Sequence, residues 1–182
     1  MTAAKPLPAF KYHPDPIATG SIRRSDARCL ACGEVRGFIY VGPVHSAERL
    51  EDSICPWCIA DGTAAERLEA EFTDLGWEVP DDVPAGVTDE VSRRTPGFHG
   101  WQQEHWLYHC RDAAAFLGPA GATELAPYSD ALEMLSHEHD EYGWPPEQTA
   151  TYLESLTREG SPTAYLFRCL GCGRHLAYSD FL

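Results

Sequence analysis

Two pairs of closely spaced cysteines in the N-terminal third constrain the fold of this chain more than any other feature. Cys29 and Cys32 form the first pair, and Cys55 and Cys58 form the second. Each pair can hold a Zn²⁺ ion through two thiolates, and four thiolates complete the closed tetrahedron of a structural zinc site. The spacing therefore predicts one zinc ion bound by all four cysteines.

The residues around these pairs indicate how such a site is built. Gly33 follows the first pair, as the tight turn of a zinc knuckle requires. The segment GFIYV at residues 37–41 predicts a strand because it is rich in aromatic and β-branched side chains. The segment TAAE at residues 63–66 has the pattern of a capping box, which predicts a helix just after the second pair. A knuckle, a hairpin and paired ligands ahead of a helix are typical of a treble-clef or zinc-ribbon-like module, which we expect over residues 21–75.

The second pair has an alternative interpretation as a redox motif. Its sequence is CPWC and it precedes a predicted helix, whose N-terminus would lower the pKa of a thiol. This interpretation leaves Cys29 and Cys32 without a role, and no βαβ pattern surrounds the motif, as a thioredoxin-like fold would need. A thiol oxidoreductase acting at Cys55 and Cys58 is therefore kept as an alternative function.

Three further cysteines form a second candidate site. They are Cys110, Cys169 and Cys172. The segment RCLGCG, which contains the last two, repeats the RCLACG of the first pair, so it predicts a second knuckle within a C-terminal β-hairpin. Three thiols need a fourth ligand from histidine or water. The candidate histidines are His99, His105, His109 and His175.

The conformation of residues 101–110 decides between two ligand sets. In a helix, His105 and His109 share one face and can join the knuckle in a site of two cysteines and two histidines. In an extended segment, Cys110 is the partner of the knuckle. We take as candidate ligands of a second Zn²⁺ the set His109, Cys110, Cys169 and Cys172.

A zinc ion that keeps a water ligand at this second cluster would be catalytic. Zinc acidifies a bound water toward neutral pH and so generates a nucleophile. Glu104 and His105 are the candidate bases for such a reaction. A zinc-dependent hydrolase at the Cys110, Cys169 and Cys172 cluster is therefore a second alternative function.

The chain as a whole predicts a single α+β unit of 182 residues with four regions. The first region carries four prolines and predicts an extended arm, with Tyr12 and His13 on its surface. The third is rich in glycine and proline and predicts a linker. The regions are the arm at 1–20, the zinc module at 21–75, the linker at 76–100 and an α+β C-terminal part at 101–182.

The elements of the linker and the C-terminal part are predicted from helix start and stop signals. We expect a short helix at residues 88–94 and a mainly helical middle, with helices at 112–117, 129–139 and 147–158. A strand, the second knuckle and another strand then form the C-terminal hairpin.

Two further groups of side chains are interpreted as structural. The aromatic residues Phe98, Trp101, Trp106 and Tyr108 lie close together in sequence and predict a packed core. The segment SHEHDE at residues 136–141 offers metal-binding side chains, but it is interpreted as the solvated end of a helix.

Charge and hydropathy restrict the partners of the chain. The sequence has 14 lysine and arginine residues against 28 aspartate and glutamate residues, for a formal net charge of −14, which disfavours nucleic acid. No apolar run resembles a signal peptide or a membrane span, so we expect a cytoplasmic protein without membrane insertion. In a reducing compartment, paired cysteines favour metal binding over disulfides. These features predict a zinc-stabilised protein that acts through a protein partner or in regulation, rather than an enzyme.

Several blocks of sequence together are similar to a known bacterial family. They are FKYHPDPIATGSI, FIYVGPVHS, CPWCIADGTAAE, RTPGFHGWQQEHWLYHC and AYLFRCLGCGRHLAYSD. In combination they resemble the CbrC family over nearly the whole chain. The resemblance implies metal sites at the cysteine pairs, a bacterial cytosolic setting, and a link to colicin tolerance, with no assigned reaction.

Overall fold

A computed structural model describes residues 6–75 and 79–182 of the chain and has an α+β architecture. Residues 1–5, which begin the predicted arm, and residues 76–78, which begin the predicted linker, lie outside the described residues. The elements of the N-terminal half are β1 (Ile22–Arg24), β2 (Phe38–Tyr40), α1 (Pro56–Ala60), α2 (Thr63–Leu68) and α3 (Ala85–Arg94). Those of the C-terminal half are β3 (Tyr108–His109), β4 (Asp112–Ala113), β5 (Ala115–Ala120), α4 (Ala122–Leu125), α5 (Ser129–Glu141), α6 (Pro146–Ser155), β6 (Thr163–Arg168) and β7 (His175–Asp180).

The N-terminal half is organised around a two-stranded antiparallel sheet of β1 and β2. Ile22 pairs with Tyr40 across this sheet, and both side chains are buried. The core that they join includes Ile54, Ile59 and Phe72, together with three of the four cysteines of the first cluster. The predicted strand at residues 37–41 corresponds to β2. The cysteine cluster is thus part of a hydrophobic core rather than a surface feature.

The helix start differs from the predicted capping box. α1 begins directly after Cys55, with Pro56 in its first turn, where the missing N–H costs nothing. The chain then turns at Gly62, which has a left-handed φ of 81°, and α2 starts at Thr63. Thr63 is therefore inside the helix, and its N–H is capped by the carboxylate of Asp61 at 2.9 Å.

A three-stranded antiparallel sheet, ordered β5-β6-β7, forms the centre of the C-terminal half. α5 packs on β7, and the predicted strand–knuckle–strand hairpin corresponds to β6 and β7. The predicted helix at residues 112–117 is wrong, because this segment forms β4 and the start of β5. Its alanines favour a helix in isolation, but Phe116 and the alanines before it are buried, and Phe116 pairs with Phe167 of β6.

The other predicted helices are present with shifted ends. α3 is longer than the predicted 88–94, whereas α5 and α6 correspond to the predicted helices at 129–139 and 147–158. Leu135 of α5 is fully buried, as expected, and Leu132 is half-buried. Among the described residues, no helix has the length and hydropathy needed to cross a lipid bilayer.

The aromatic group splits between core and surface. The Phe98 ring stacks on Phe116 with centroids 3.8 Å apart, and the indole N–H of buried Trp106 donates to the Ala114 carbonyl at 3.0 Å. The prediction of a core is therefore right for these two residues. Trp101 remains 40% exposed, with its indole N–H bonded to the Gly160 carbonyl at 2.7 Å.

The arm is part of the core, so the expected surface positions of Tyr12 and His13 are wrong. Both side chains are almost fully buried, and the Tyr12 carbonyl accepts the N–H of Phe116 at 2.7 Å. The His13 ring lies between the Pro96 carbonyl on Nδ1 and the Thr19 hydroxyl on Nε2, each at 2.6 Å. A neutral ring satisfies both contacts, with Nδ1 donating to the carbonyl and Nε2 accepting from the hydroxyl. The division of the chain into arm, module, linker and C-terminal part stays a prediction.

Lowering the pH is expected to destabilise the protein through His13. Burial lowers the pKa of His13 from 6.5 to about 4, so the unfolded chain binds the proton more tightly. The contribution of neutral His13 to the free energy of unfolding is therefore complete above pH 6.5 and is lost as the pH falls toward 4. Between about pH 7.5 and about pH 5, the wild-type free energy of unfolding should fall by about 2 kcal/mol more than that of His13→Gln, measured by denaturant titration. Metal release in acid affects both proteins, so only the difference between them reports on His13. If the free energy of unfolding fell equally with pH in wild type and in His13→Gln, this role would be contradicted.

Candidate metal centres

The four N-terminal cysteines converge on one point, here called the first centre. Their sulfur atoms all lie within 4.8 Å of one another, and those of Cys32 and Cys55 are 4.0 Å apart. Zinc–sulfur bonds of about 2.3 Å in a tetrahedron place sulfurs about 3.8 Å apart. A single ion can therefore contact all four sulfurs once their separations shorten by at most about 1 Å. Cys32 is half-buried and the other three are buried.

Two local structures bring the pairs to the first centre. In the first pair, the Cys29 N–H donates to the Glu34 carbonyl and the Gly33 N–H donates to the Cys29 carbonyl, at 2.9 and 2.7 Å. Gly33 has a φ of 75°, the left-handed conformation that glycine adopts without strain. In the second pair, Cys55 is the extended N-cap residue of α1, and its N–H donates to the Cys29 sulfur at 3.3 Å. The pairs are thus joined by a direct N–H···S contact.

The electrostatics of the first centre suit a cation. Hydrogen bonding from the Cys55 thiol lowers the pKa of Cys29 to about 4, whereas burial raises the pKa of Cys58 to about 12. Without a cation the cluster therefore combines a Cys29 thiolate with a protonated Cys58 thiol, and a divalent ion would favour deprotonation of its ligands. Burial acts to lower the pKa of Arg36, but the cysteine thiolates raise it overall.

The arginines around the first pair are largely engaged in the fold. The guanidinium of Arg28 donates to the Gly33 carbonyl, and Arg23 pairs with Asp52 at 2.7 Å. Arg36 lies over the Trp57 ring, 5.8 Å from its centroid. These three arginines therefore support the knuckle and its surroundings.

The second centre is formed by the four residues proposed from sequence. The set is His109, Cys110, Cys169 and Cys172, with one ligand atom of each within 4.8 Å of the others. Nδ1 of His109 lies 3.2 Å from the Cys110 sulfur and 3.4 Å from the Cys172 sulfur. Cys169 is buried, while Cys110 and Cys172 are exposed. The second centre is therefore a surface site, in contrast to the first.

A strained hairpin turn presents two of its ligands. β3 and β4 pair His109 with Asp112, which leaves Cys110 and Arg111 as a two-residue turn. Their φ values are 53° and 61°, as in a type I′ turn, where asparagine and glycine are the usual residues. Left-handed backbone costs non-glycine residues on the order of 1 kcal/mol each. A cysteine at this position is consistent with a need for its sulfur beside His109.

Both centres use the same knuckle. In the second centre the Cys169 N–H donates to the Arg174 carbonyl at 2.8 Å, and the Gly173 N–H donates to the Cys169 carbonyl at 3.0 Å. Gly173 has a φ of 78°. These are the hydrogen bonds and the glycine conformation of the first knuckle. The repeated RCLACG and RCLGCG segments therefore correspond to a repeated local structure.

The remaining histidine candidates have other partners. His99 bonds the Val41 carbonyl at 2.9 Å, and His175 lies 3.5 Å from the Asp130 carboxylate. The His105 ring packs edge-on against Tyr178. Glu104, a candidate base, is buried and pairs with His45 at 2.9 Å. Neither Glu104 nor His105 belongs to the second centre.

The solvated helix end expected at residues 136–141 is only partly correct. His139 is buried, and its ring stacks on Trp144 with centroids 4.4 Å apart. The signal that sequence analysis missed is the spacing of His139 four residues after Leu135, which places both on the inner face of α5. The exposed His137 and Glu141 fit the expectation.

Comparison with known proteins identifies a family but no solved structure that matches the chain. A profile described as "Uncharacterised protein family (UPF0167)" matches residues 7–181. UPF0167 proteins of Mycobacterium bovis and Mycobacterium tuberculosis are each 57% identical over 175 residues, which cover 96% of this chain and 94% of the relative. A UPF0167 protein of Pseudomonas aeruginosa is 44% identical over 177 residues, 97% of this chain and 98% of the relative.

These matches correct the family assignment drawn from the sequence blocks. The matching profile and these relatives are described as UPF0167 and not as CbrC. The link to colicin tolerance came only from the CbrC resemblance, so it has no support. The chain belongs to the uncharacterised bacterial family UPF0167.

Proposed function

We propose that this protein is a zinc-stabilised scaffold that acts by binding another protein in the bacterial cytoplasm. The observation that carries the proposal is the convergence of four donor atoms at each of two centres. Four thiolates, or three thiolates and an imidazole, are the donor sets of structural zinc sites. Each centre would hold one Zn²⁺, the first through Cys29, Cys32, Cys55 and Cys58 and the second through His109, Cys110, Cys169 and Cys172.

The local structure of the first centre supports a treble-clef-like module. A knuckle between β1 and β2 supplies one cysteine pair, these two strands pair antiparallel, and the second pair lies at the start of α1. A module of this size gains much of its stability from its metal, on the order of 10 kcal/mol. We therefore expect zinc to act on folding rather than on a substrate at this centre.

The donor count argues against the hydrolase alternative, and burial argues against the oxidoreductase. A hydrolase at the second centre needs an open zinc position, whereas His109 supplies a fourth donor beside the three thiols. An oxidoreductase needs an accessible nucleophilic thiol, whereas Cys55 and Cys58 are buried beside Cys29. A closed scaffold fits these positions better than a reactive site.

Binding of a protein partner is supported by two exposed leucines. Leu30 and Leu170 follow the first cysteine of each knuckle, and they are 57% and 44% exposed. Exposed apolar side chains can contribute contact area to a protein interface. The net charge of −14 disfavours a nucleic-acid partner. The two knuckles would thus present equivalent apolar contacts, each held in place by a metal.

The proposal is tested by site-specific photo-crosslinking in the native host. A photoreactive amino acid replaces Leu30 or Leu170 in separate variants, and an exposed residue outside the knuckles, Glu133, is the control position. We expect discrete crosslinked proteins from the knuckle positions, absent from the control and lost when a membrane-permeable zinc chelator is added. The products are identified by mass spectrometry.

Three results would contradict this function. Equal crosslinking from Glu133 and from the knuckle positions would show that the contacts are nonspecific. Crosslinks to nucleic acid in place of protein would assign the knuckles to a different partner. Crosslinks that persist after metal removal would reject the dependence on zinc.

A further inference from the structure

A cleft in the C-terminal half lies apart from the two cysteine clusters and has features of a ligand site. Its volume is about 730 Å³, within the range of small-molecule sites. It lies between the C-terminal half of α5, the Trp144 loop, Tyr152 of α6, the end of β7, and the segment containing Gln102 and His105. None of the cysteines or His109 lines it. The proposed zinc scaffold therefore does not account for this cleft.

The walls of the cleft combine aromatic rings with carboxylates. Trp144, Tyr152 and Tyr178 provide aromatic surface. The acidic residues of the lining are Glu138, Glu141 and Asp180, and none of the described lining residues is a lysine or an arginine. Aromatic faces and carboxylates both attract cations, and the rings also provide apolar contact area. The lining thus favours a ligand with a positive charge and an apolar body.

His139, one of the residues that line the cleft, has a ring nitrogen without a hydrogen-bond partner in the described part of the chain. Nδ1 of His139 is buried and has no hydrogen-bond partner among the described residues, although the His139 side chain is only 5% exposed. The ring is held by stacking on Trp144 and by an edge contact with Tyr152, whose centroid is 4.8 Å away. Burial lowers the pKa of His139, which favours the neutral imidazole, and Nδ1 accepts a hydrogen bond in the tautomer that carries its proton on Nε2. An unsatisfied buried polar atom is costly, and a ligand N–H would relieve that cost.

We propose that this cleft binds a protonated organic amine with an apolar body, whose ammonium group donates to Nδ1 of His139 and lies near the carboxylates. The aromatic side chains would contact the apolar body. The ammonium can come from a free small amine or from a lysine side chain, since the two share this chemistry. The inference does not depend on metal binding at either centre.

The proposal is tested by titrating the full-length protein with 2-phenylethylammonium and following its NMR spectrum. 2-Phenylethanol and 3-phenylpropionate serve as neutral and anionic probes of similar size. We expect saturable binding of the ammonium, about tenfold tighter than the alcohol and without detectable binding of the carboxylate. Chemical-shift changes should include the Trp144 indole N–H. N-acetyl-lysine methylamide, titrated in parallel, shows by its relative affinity whether the site prefers a free amine or a lysine side chain.

Matched variants separate the role of the cleft from general effects on the fold. His139→Phe keeps an aromatic ring for stacking but removes Nδ1, and it should weaken ammonium binding about fivefold. Glu141→Gln should weaken binding about threefold, whereas Glu133→Gln, also on exposed α5 surface but outside the cleft, should not. Equal affinities for ammonium and alcohol would overturn the proposal. So would equal binding by wild type and His139→Phe when both are folded by NMR.

Discussion

Replacing Cys58 by serine is expected to release the metal of the first centre and to unfold residues 21–75. A serine hydroxyl is a poor zinc ligand, and the three remaining thiols are left around an incomplete site. Cys29, Cys55 and Cys58 are members of the hydrophobic core of the N-terminal half, so loss of the ion also disrupts apolar packing. Structural zinc contributes on the order of 10 kcal/mol to such modules. Metal content per chain and thermal unfolding by circular dichroism measure the effect.

The matched control is Cys172→Ser at the second centre. Cys172 is exposed, and β6 and β7 remain supported by their own sheet and core. This variant should lose one of two zinc ions and keep the N-terminal module folded. A Cys58→Ser protein that retains both its zinc content and its melting temperature would contradict the first centre. The first centre would also be contradicted if its four cysteines were found as disulfides in isolated wild-type protein.

The convergence of the four N-terminal cysteines could be anticipated because the geometry of each pair is encoded locally. A knuckle needs only two cysteines, a glycine and a few backbone hydrogen bonds, all within residues 29–34. The same local rule located Cys169 and Cys172 from the repeated segment. Which pairs meet across the chain depends on the tertiary structure. The spacing pointed to this meeting only through the general rule that a structural zinc site needs four donors.

His109 was proposed from the sequence, but the local pattern gives no physical reason to prefer it over the other candidate histidines. Four histidines were available, and the selection depends on the β3–β4 turn, where Cys110 has a left-handed backbone. That conformation is imposed by tertiary structure, since cysteine has no intrinsic preference for it. The helix predicted at 112–117 is wrong for a similar reason, because burial of this alanine-rich segment beside β6 overrides its helix propensity.

Burial of polar residues was the other feature that the sequence pattern did not predict. His13 lies in a proline-rich arm and His139 in a run of charged residues, and both contexts suggest a surface. His13 is buried by a contact with Pro96, which is distant in sequence. His139 is buried by Trp144, which lies in the loop that follows its helix. Hydrophobic periodicity reports which face of an element is apolar, but it carries no information on such individual polar contacts.

Substituting Gly97 by alanine is expected to cost about 3 kcal/mol of folding free energy or more, through a backbone clash. A Cβ atom at this position would lie 1.9 Å from the Phe72 carbonyl oxygen and 3.1 Å from the Tyr40 hydroxyl. Neither group can move easily, because Phe72 and Tyr40 are both buried in the N-terminal core. The Gly97 N–H also donates to the Tyr40 hydroxyl at 3.1 Å. The clash would therefore separate the segment before Phe98 from the first-centre core, and denaturant titration measures the loss.

Gly86→Ala is the matched control, since it adds the same methyl group in open space. No atom lies within 4 Å of a Cβ at Gly86, which is inside α3. Alanine is a better helix former than glycine, so this variant should be more stable than wild type by about 0.5 to 1 kcal/mol. If Gly97→Ala lowers the free energy of unfolding and Gly86→Ala raises it, close packing against Phe72, rather than loss of glycine flexibility, requires a glycine at position 97. A Gly97→Ala protein as stable as wild type would instead mean that the linker and the first-centre core are not in contact in solution.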